Sequence, residues 1–283
     1  MTPTQGSSDS SIPSSRATLI VTAVALLFVV VPALFWQQTW FGRTLSDEQI
    51  TEYLADKEKP RNTQHALAQL SERVQRRDPS VKQWYPGIVS LAQHPVAQIR
   101  LTSAWVMGQD NGSEEFHQAL LLLVDDADPM VARNAALSLA GFKDPAGRPV
   151  LQAMLRSFTV TAPRDGVITN RLTQGDIVEQ DTLLARLEAS GETDPVEVRS
   201  PVPGVVEERL LQDGAAVSAG QPLMVLGPSS DHAFEALRAL VLVGQEEDLE
   251  LVRPFLRPSE DAPARLAEQA RLTIDEIRNK ARL

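Results

Sequence analysis

TAPRDGVITNRLTQGDIVEQDTLLARLE (Thr161–Glu188) and RSPVPGVVEERLLQDGAAVSAGQPLMVLG (Arg199–Gly227) are two versions of one pattern, and their alignment decides how the chain is read. Pro163 pairs with Pro201 and Gly166 with Gly204 at an offset of 38. After one added residue, Gly175 pairs with Gly214, Val178 with Val217, Asp181 with Gly220 and Leu184 with Leu223 at 39. The order has a mechanical logic. Pro-x-x-Gly-Val starts a strand from a tight turn, and alternating apolar residues line an interior. Gly175 and Gly214 suit turns that require φ > 0, and Gly220-Gln221 suits another. Between residues 158 and 228 Val, Thr, Gly and Pro rise and the helical period of the flanking sequence disappears. Two such halves would interlock around a pseudo-twofold axis.

This duplication resembles the biotinyl/lipoyl barrel-sandwich fold, which also occurs in the adaptor (membrane-fusion) proteins of bacterial export systems. In a carrier domain of that family the tip between the halves reads Glu-Ala-Met-Lys-Met or similar. Here Glu188-Ala189 aligns, but Ser190, Gly191 and Glu192 follow, so Gly191 stands where the carrier lysine belongs. No lysine lies between Lys143 and Lys280. Biotinylation and lipoylation both need that amine, so the expectation is a domain with no attached cofactor. Many adaptors insert a helical hairpin between the halves; here only Glu188–Val198 joins them. The tip is acidic, with Glu192, Asp194 and Glu197, and the insert holds 11 Asp/Glu against 5 Arg. A solvated surface explains this plainly; a docking face for a basic partner is the sharper reading.

Helices flank the insert. His94–Gly108 (HPVAQIRLTSAWVMG) and Asp128–Gly141 (DPMVARNAALSLAG) each open on Pro after a polar residue, place Arg100 or Arg133 a turn in, and close on Gly at a spacing of 33. Pro suits the first turn of a helix, Gly its end, and the Ala/Leu stripe a packing face. A second helix follows each, at 113–126 and 145–156. The period resembles HEAT-type repeats, including the D-P-x-V-x-R-x-x-A form of Asp128–Ala136; an ordinary helical bundle is the alternative. The pattern returns at 233–244 and 246–257, with Gly244-Gln245 at the corner held earlier by Gly108-Gln109 and Gly141-Phe142. Residues 258–278 read as a polar terminal helix, as a capping repeat requires. The array therefore stops at Arg156 and resumes near Ser230.

Upstream, residues 1–16 are Ser/Thr/Pro-rich and read as a disordered tail. Ala17–Trp36 carries no charge and is long enough, at about 1.5 Å per residue, to cross a hydrocarbon core. Trp36, Trp40 and Phe41 fall where an interfacial aromatic belt belongs. The competing reading is a cleaved signal peptide, but the apolar run is long and no Ala-x-Ala pattern follows. A short helix capped by Ser46 then leaves the membrane over 46–60. The charge balance around the span, Arg16 against Arg43, leans to the tail inside and the bulk outside.

The expected fold class is thus an α+β multidomain chain. It comprises a tail (1–16), a transmembrane helix (17–36), a HEAT-like α-solenoid (46–156 and 230–283) and an all-β barrel-sandwich hybrid (158–228) that interrupts it. Net charge is −10, and no Lys/Arg stripe is visible, which speaks against nucleic-acid binding. No cysteine is present, which excludes disulfides, thiol catalysis and Cys-ligated metal. His65, His94, His117 and His232 lack metal spacing, and no phosphate loop or nucleophile elbow appears. Glu114-Glu115 and Glu246-Glu247 read as helix-dipole partners. The expectation is a non-enzymatic, single-pass scaffold or accessory subunit of a membrane complex, bacterial inner membrane, with protein partners, no metal and no cofactor. The alternatives are a periplasmic adaptor of an efflux or secretion system and, behind it, an acyl or biotin carrier.

Overall fold

The computed structural model describes residue 28 and residues 44–188, 194–257 and 264–282. The expected tail, the membrane span apart from Phe28, the belt residues Trp36, Trp40 and Phe41, and the tip residues Ser190, Gly191 and Glu192 lie outside the described residues. Two compact units divide the chain, Met1–Gln49 and Ile50–Leu283. Among the described residues no helix is long and apolar enough to cross a membrane.

Ser46 N donates to Gln49 Oε1 (3.1 Å) and Gln49 N to Ser46 Oγ (3.3 Å). This reciprocal pair caps α1 (Asp47–Ala55), shorter than the expected 46–60. Asp56 takes over beyond it, accepting the amides of Glu58 and Lys59 (both 3.0 Å) and holding the chain in a turn.

The second unit is a helical repeat array interrupted by a β region. Before the interruption come α2 (Pro60–Gln75), α3 (Tyr85–Ser90), α4 (Ala97–Met107), α5 (Glu114–Leu123), α6 (Pro129–Gly141) and α7 (Arg148–Ala153). After it come α8 (Ser230–Val243), α9 (Leu249–Val252) and α10 (Ala264–Lys280). The longer, even-numbered helices stack in succession, α2 on α4, α4 on α6, α6 on α8 and α8 on α10. Their small and aliphatic residues make the stack close. Ala104, Ala135, Ala136, Leu139, Ala236, Leu240 and Ala270 are all buried. Polar side chains pin each step to the neighbouring backbone. Asn134 Nδ2 donates to Leu101 O (3.3 Å), Ser138 Oγ to Ala104 O (3.0 Å) and Thr273 Oγ1 to Leu237 O (2.9 Å).

Local signals start the helices where the sequence places them. Asp128 accepts the amides of Met130 (2.8 Å) and Val131 (3.3 Å), with Pro129 in the first turn. Ser113 caps α5 by accepting from Phe116 N (3.4 Å), and Glu114 and Glu115 occupy its first turn. The corner glycines stand at helix ends as expected, but not for the sake of a left-handed turn. Gly108 keeps right-handed helical geometry (φ −64°), and the left-handed residue at the α6 corner is Lys143 (φ 60°). Gly108 is needed for space, because a Cβ there would sit 2.7 Å from Ser138 Cβ.

The β region has eight strands: β1 (Phe158–Thr161), β2 (Gly166–Asn170), β3 (Ile177–Val178), β4 (Leu183–Glu188), β5 (Val196–Arg199), β6 (Gly204–Arg209), β7 (Ala216–Val217) and β8 (Pro222–Pro228). They form two four-stranded antiparallel sheets, ordered β1-β8-β6-β3 and β5-β4-β2-β7. Exchanging the first four strands for the last four converts one order into the other, so each half contributes two strands to each sheet. The turns repeat the exchange. Gly175 N donates to Val206 O (2.9 Å) and Gly214 N to Ile168 O (2.8 Å), with φ of +92° and +84°. Asp181 N donates to Ser200 O and Gly220 N to Ala162 O, both at 2.8 Å and both at positive φ. The pairs Ile168/Val206, Val178/Val217, Leu184/Leu223 and Leu187/Leu226 are all buried in one core. Ile168 and Val206 face inward by alternation, whereas the register slips at Leu184 and Leu223, so that each of these and the leucine three positions on, Leu187 or Leu226, enter the same core. Each such side chain is worth about 1.5–3 kcal/mol of burial.

Candidate functional site

The stacked helices leave a groove of about 340 Å³ across α4, α6 and α8. Trp105, Gly108 and Gln109 line it from α4 and its end, Asn134 and Leu137 from α6, and Arg238 and Leu242 from α8. Trp105 is 47% exposed and Leu242 46%, high for large apolar groups on a stacked layer. Gln109 Oε1 accepts from Ser71 Oγ (3.1 Å), while its Nε2 has no protein partner among the described residues. Glu235 adds a carboxylate beside Arg238. The groove therefore offers an indole, two leucines and one charge of each sign. That chemistry suits a protein surface and is distributed over parts of the chain on both sides of the β region.

The equivalent arginines Arg100 and Arg133 diverge. Arg100 grips Asp126 with a two-pronged contact, Nε to Oδ2 at 2.6 Å and Nη2 to Oδ1 at 2.7 Å, and its Nη1 reaches His94 O at 2.9 Å. The Arg100 guanidinium holds the Asp126 carboxyl below the usual carboxylate range against the opposing effect of burial. The position that corresponds to Asp126 one period later falls in β1, and among the described residues Arg133 meets no such carboxylate. Its Nη1 lies 3.8 Å from Met130 Sδ, and burial lowers its pKa. The β3–β4 turn reaches the start of α6, with Gln180 Nε2 at 3.5 Å from Asp128 Oδ2. His232, at the re-entry of the array, is also pushed down by burial and by Arg133.

The sequence-expected residues separate. Asp194 is exposed. Glu197 is not a free docking charge: Arg199 Nη2 contacts its Oε2 at 2.5 Å and Arg186 Nη2 its Oε1 at 3.1 Å, and these two cations lower its pKa. The β4–β5 face thus answers its own acid with arginines. The histidines do not converge. His65 and His94 are buried, and His94 Nδ1 accepts from Val96 N (3.1 Å) in the turn that leads into α4. His117 Nε2 meets Asp144 Oδ2 at 2.7 Å and its ring stacks on Phe142. Among the described residues no group of His, Cys, Asp and Glu could hold a metal ion.

A second basic feature escaped the sequence reading. Arg253, Arg257, Arg271 and Arg278 line one pocket at the C-terminal end, on two segments that sequence spacing does not connect. The signal was present only as the heptad spacing of Arg271 and Arg278 on α10; the packing of 253–257 against that helix supplies the rest.

A family model for HEAT repeats matches residues 85–166. No curated protein matches the chain. Among solved structures, the complex of CpcE and CpcF of phycocyanin lyase from Nostoc sp. PCC7120 is 15% identical, with 85% of this chain and 68% of that chain covered at a TM-score of 0.45. A single-chain, multi-domain long-chain acyl-CoA carboxylase is 20% identical over 35% of this chain and 10% of that one, at 0.24. The product-bound ectoine utilization protein EutE (DoeB) from Ruegeria pomeroyi is 22% identical over 34% of this chain and 33% of that one, at 0.22. The chain thus spans a tenth to a third of the carboxylase and EutE chains.

Proposed function

We propose that the chain is a non-enzymatic scaffold or accessory subunit that binds protein partners in a membrane complex, anchored by the apolar run 17–36. The groove of Trp105, Leu137, Arg238 and Leu242 is the observation that carries this reading. Stacked helical repeats offer extended surfaces whose shape is held by neighbour-to-neighbour packing. A half-exposed Trp and an arginine lining one groove are of the residue types that dominate protein interfaces.

Residues 158–228 are read as a barrel-sandwich hybrid of the biotinyl/lipoyl type that carries no cofactor. The exchange of halves between its sheets supports this, and so does the lack of any lysine from 144 to 279. The bulk is placed outside the cytoplasm, at a bacterial inner membrane. The test is gentle solubilisation of native membranes, capture of the chain, and identification of stoichiometric companions, with Trp105→Ala/Leu242→Ala and a deletion of 158–228 in parallel. Companions lost with the double substitution support the groove. Companions lost only with the deletion move binding to the β region, and none at all removes the scaffold reading.

A further inference from the structure

The C-terminal pocket differs from the rest of this acidic chain. Arg253 and Arg257 line one side, Arg271 and Arg278 on α10 the other, and Leu256 and Ile274 contribute apolar surface between them. The pocket measures about 530 Å³. Several arginines elsewhere are engaged, Arg100 by Asp126, Arg148 by Asp248, Arg199 by Glu197 and Arg265 by Asp231, while others, Arg133 among them, meet no carboxylate among the described residues. In the pocket Arg253 is paired with Glu250, but Arg257, Arg271 and Arg278 have no ion pair or hydrogen bond among the described residues. Asp275 is the single carboxylate in the lining. Three exposed guanidiniums held around an apolar strip raise the cost of bringing like charges together unless an anion joins them.

We infer that this pocket binds an acidic segment of a protein partner, its carboxylates on Arg257, Arg271 and Arg278 and an apolar side chain on Leu256 and Ile274. Guanidinium forks match carboxylates in two-pronged geometry, and the apolar strip selects a ligand that also carries hydrocarbon. A nucleic acid fits worse: the pocket has no aromatic ring for a base to stack on, and the chain around it bears a net charge of −10 against a continuous run of phosphates. A lipid surface calls for a broad, lysine-rich face with projecting apolar groups, whereas Ile274 is buried in the pocket floor. The inference rests on the scaffold reading and names the chemistry of one partner contact, on a face separate from the Trp105 groove.

The test is fluorescence anisotropy with the full chain in detergent and a fluorescein-labelled peptide, Leu-Glu-Glu-Leu-Glu-Glu-Leu-Glu. Binding is expected to weaken as salt rises and to fall at least about tenfold in Arg271→Gln/Arg278→Gln, since surface charge contacts are screened by ions and lost with the cations. Both arginines are exposed, so helical circular dichroism stays unchanged. Trp105→Ala leaves peptide binding intact, so failure of the Trp105 groove and failure of this pocket give different results. Equal binding by the double variant, or no binding by the parent, overturns the inference. So does tighter, arginine-dependent binding of a single-stranded DNA oligonucleotide or of phosphatidylglycerol vesicles.

Discussion

Arg148 and Asp248 stand 100 positions apart in the chain, yet Arg148 Nε meets Asp248 Oδ2 at 3.1 Å. Asp248 is fully buried and also accepts from Gln152 Nε2 (2.5 Å) and Gln245 N (2.8 Å). Helix α7 before the β region and the turn after α8 are thus locked as neighbours, and the array runs on as if the insert were absent.

Arg148→Ala leaves a buried carboxylate without its cation, which costs about 3–5 kcal/mol. Asp248→Asn turns one of two accepting oxygens, each facing two donors, into an NH2 group, so it too is destabilising. Urea unfolding followed by circular dichroism measures both losses; a loss below about 1 kcal/mol for Arg148→Ala would show that the pair does not hold the two segments together.

The insert enters through β1 and leaves through β8, where Phe158 is the antiparallel partner of Leu226. Such partners lie about 5 Å apart, so a short Gly/Ser linker spans the gap. Deleting 158–228 is expected to yield a folded chain with a higher helical fraction and one cooperative thermal transition. A molten or aggregated product would mean that the array needs the β region.

Gly108 and Gly141 occupy matching corners but should respond oppositely to alanine. At Gly108 the new methyl meets Ser138, at 2.3 Å from Oγ and 3.2 Å from Cα, and overpacking of this kind costs about 1–3 kcal/mol. At Gly141 nothing lies within 4 Å, and alanine gains about 0.5–1 kcal/mol within a helix. Melting temperatures of the two variants measure the contrast directly.

The Arg100 contact depresses the pKa of Asp126 below its unfolded value. The sign follows: the contribution is fully present above the unfolded pKa near 4 and is lost as pH falls through the lower folded value. Asp126→Asn therefore lowers stability at pH 7 and flattens its fall below about pH 4. Denaturation midpoints across that range that run parallel for parent and variant would contradict the assignment.

Much of this was legible in the residues. The offsets of 38 and 39 between Gly166/Gly204 and Leu184/Leu223 carry the exchange of strands between sheets, because a turn glycine and a buried leucine each have one place in the repeat. Asp128-Pro129 marked its helix start because capping is local. What depends on distant packing was not legible. Gly108 looked like a helix stop, but its reason is Ser138 on the next helix. Glu197 looked free, but Arg186 and Arg199 reach it across the strand pair. Trp105 carried no signal of its own in the sequence, and the stacking of α4, α6 and α8 leaves it half exposed.

The central claim is that the Trp105 groove receives a protein. The direct measurement places the photocrosslinking residue p-benzoylphenylalanine at position 105 in the native host, with position 122 as the control, since Leu122 is 70% exposed on α5 and does not line the groove. The account predicts one discrete, light-dependent adduct of defined mass from position 105 and none from position 122. No adduct from 105, or the same adducts from both positions, would contradict it.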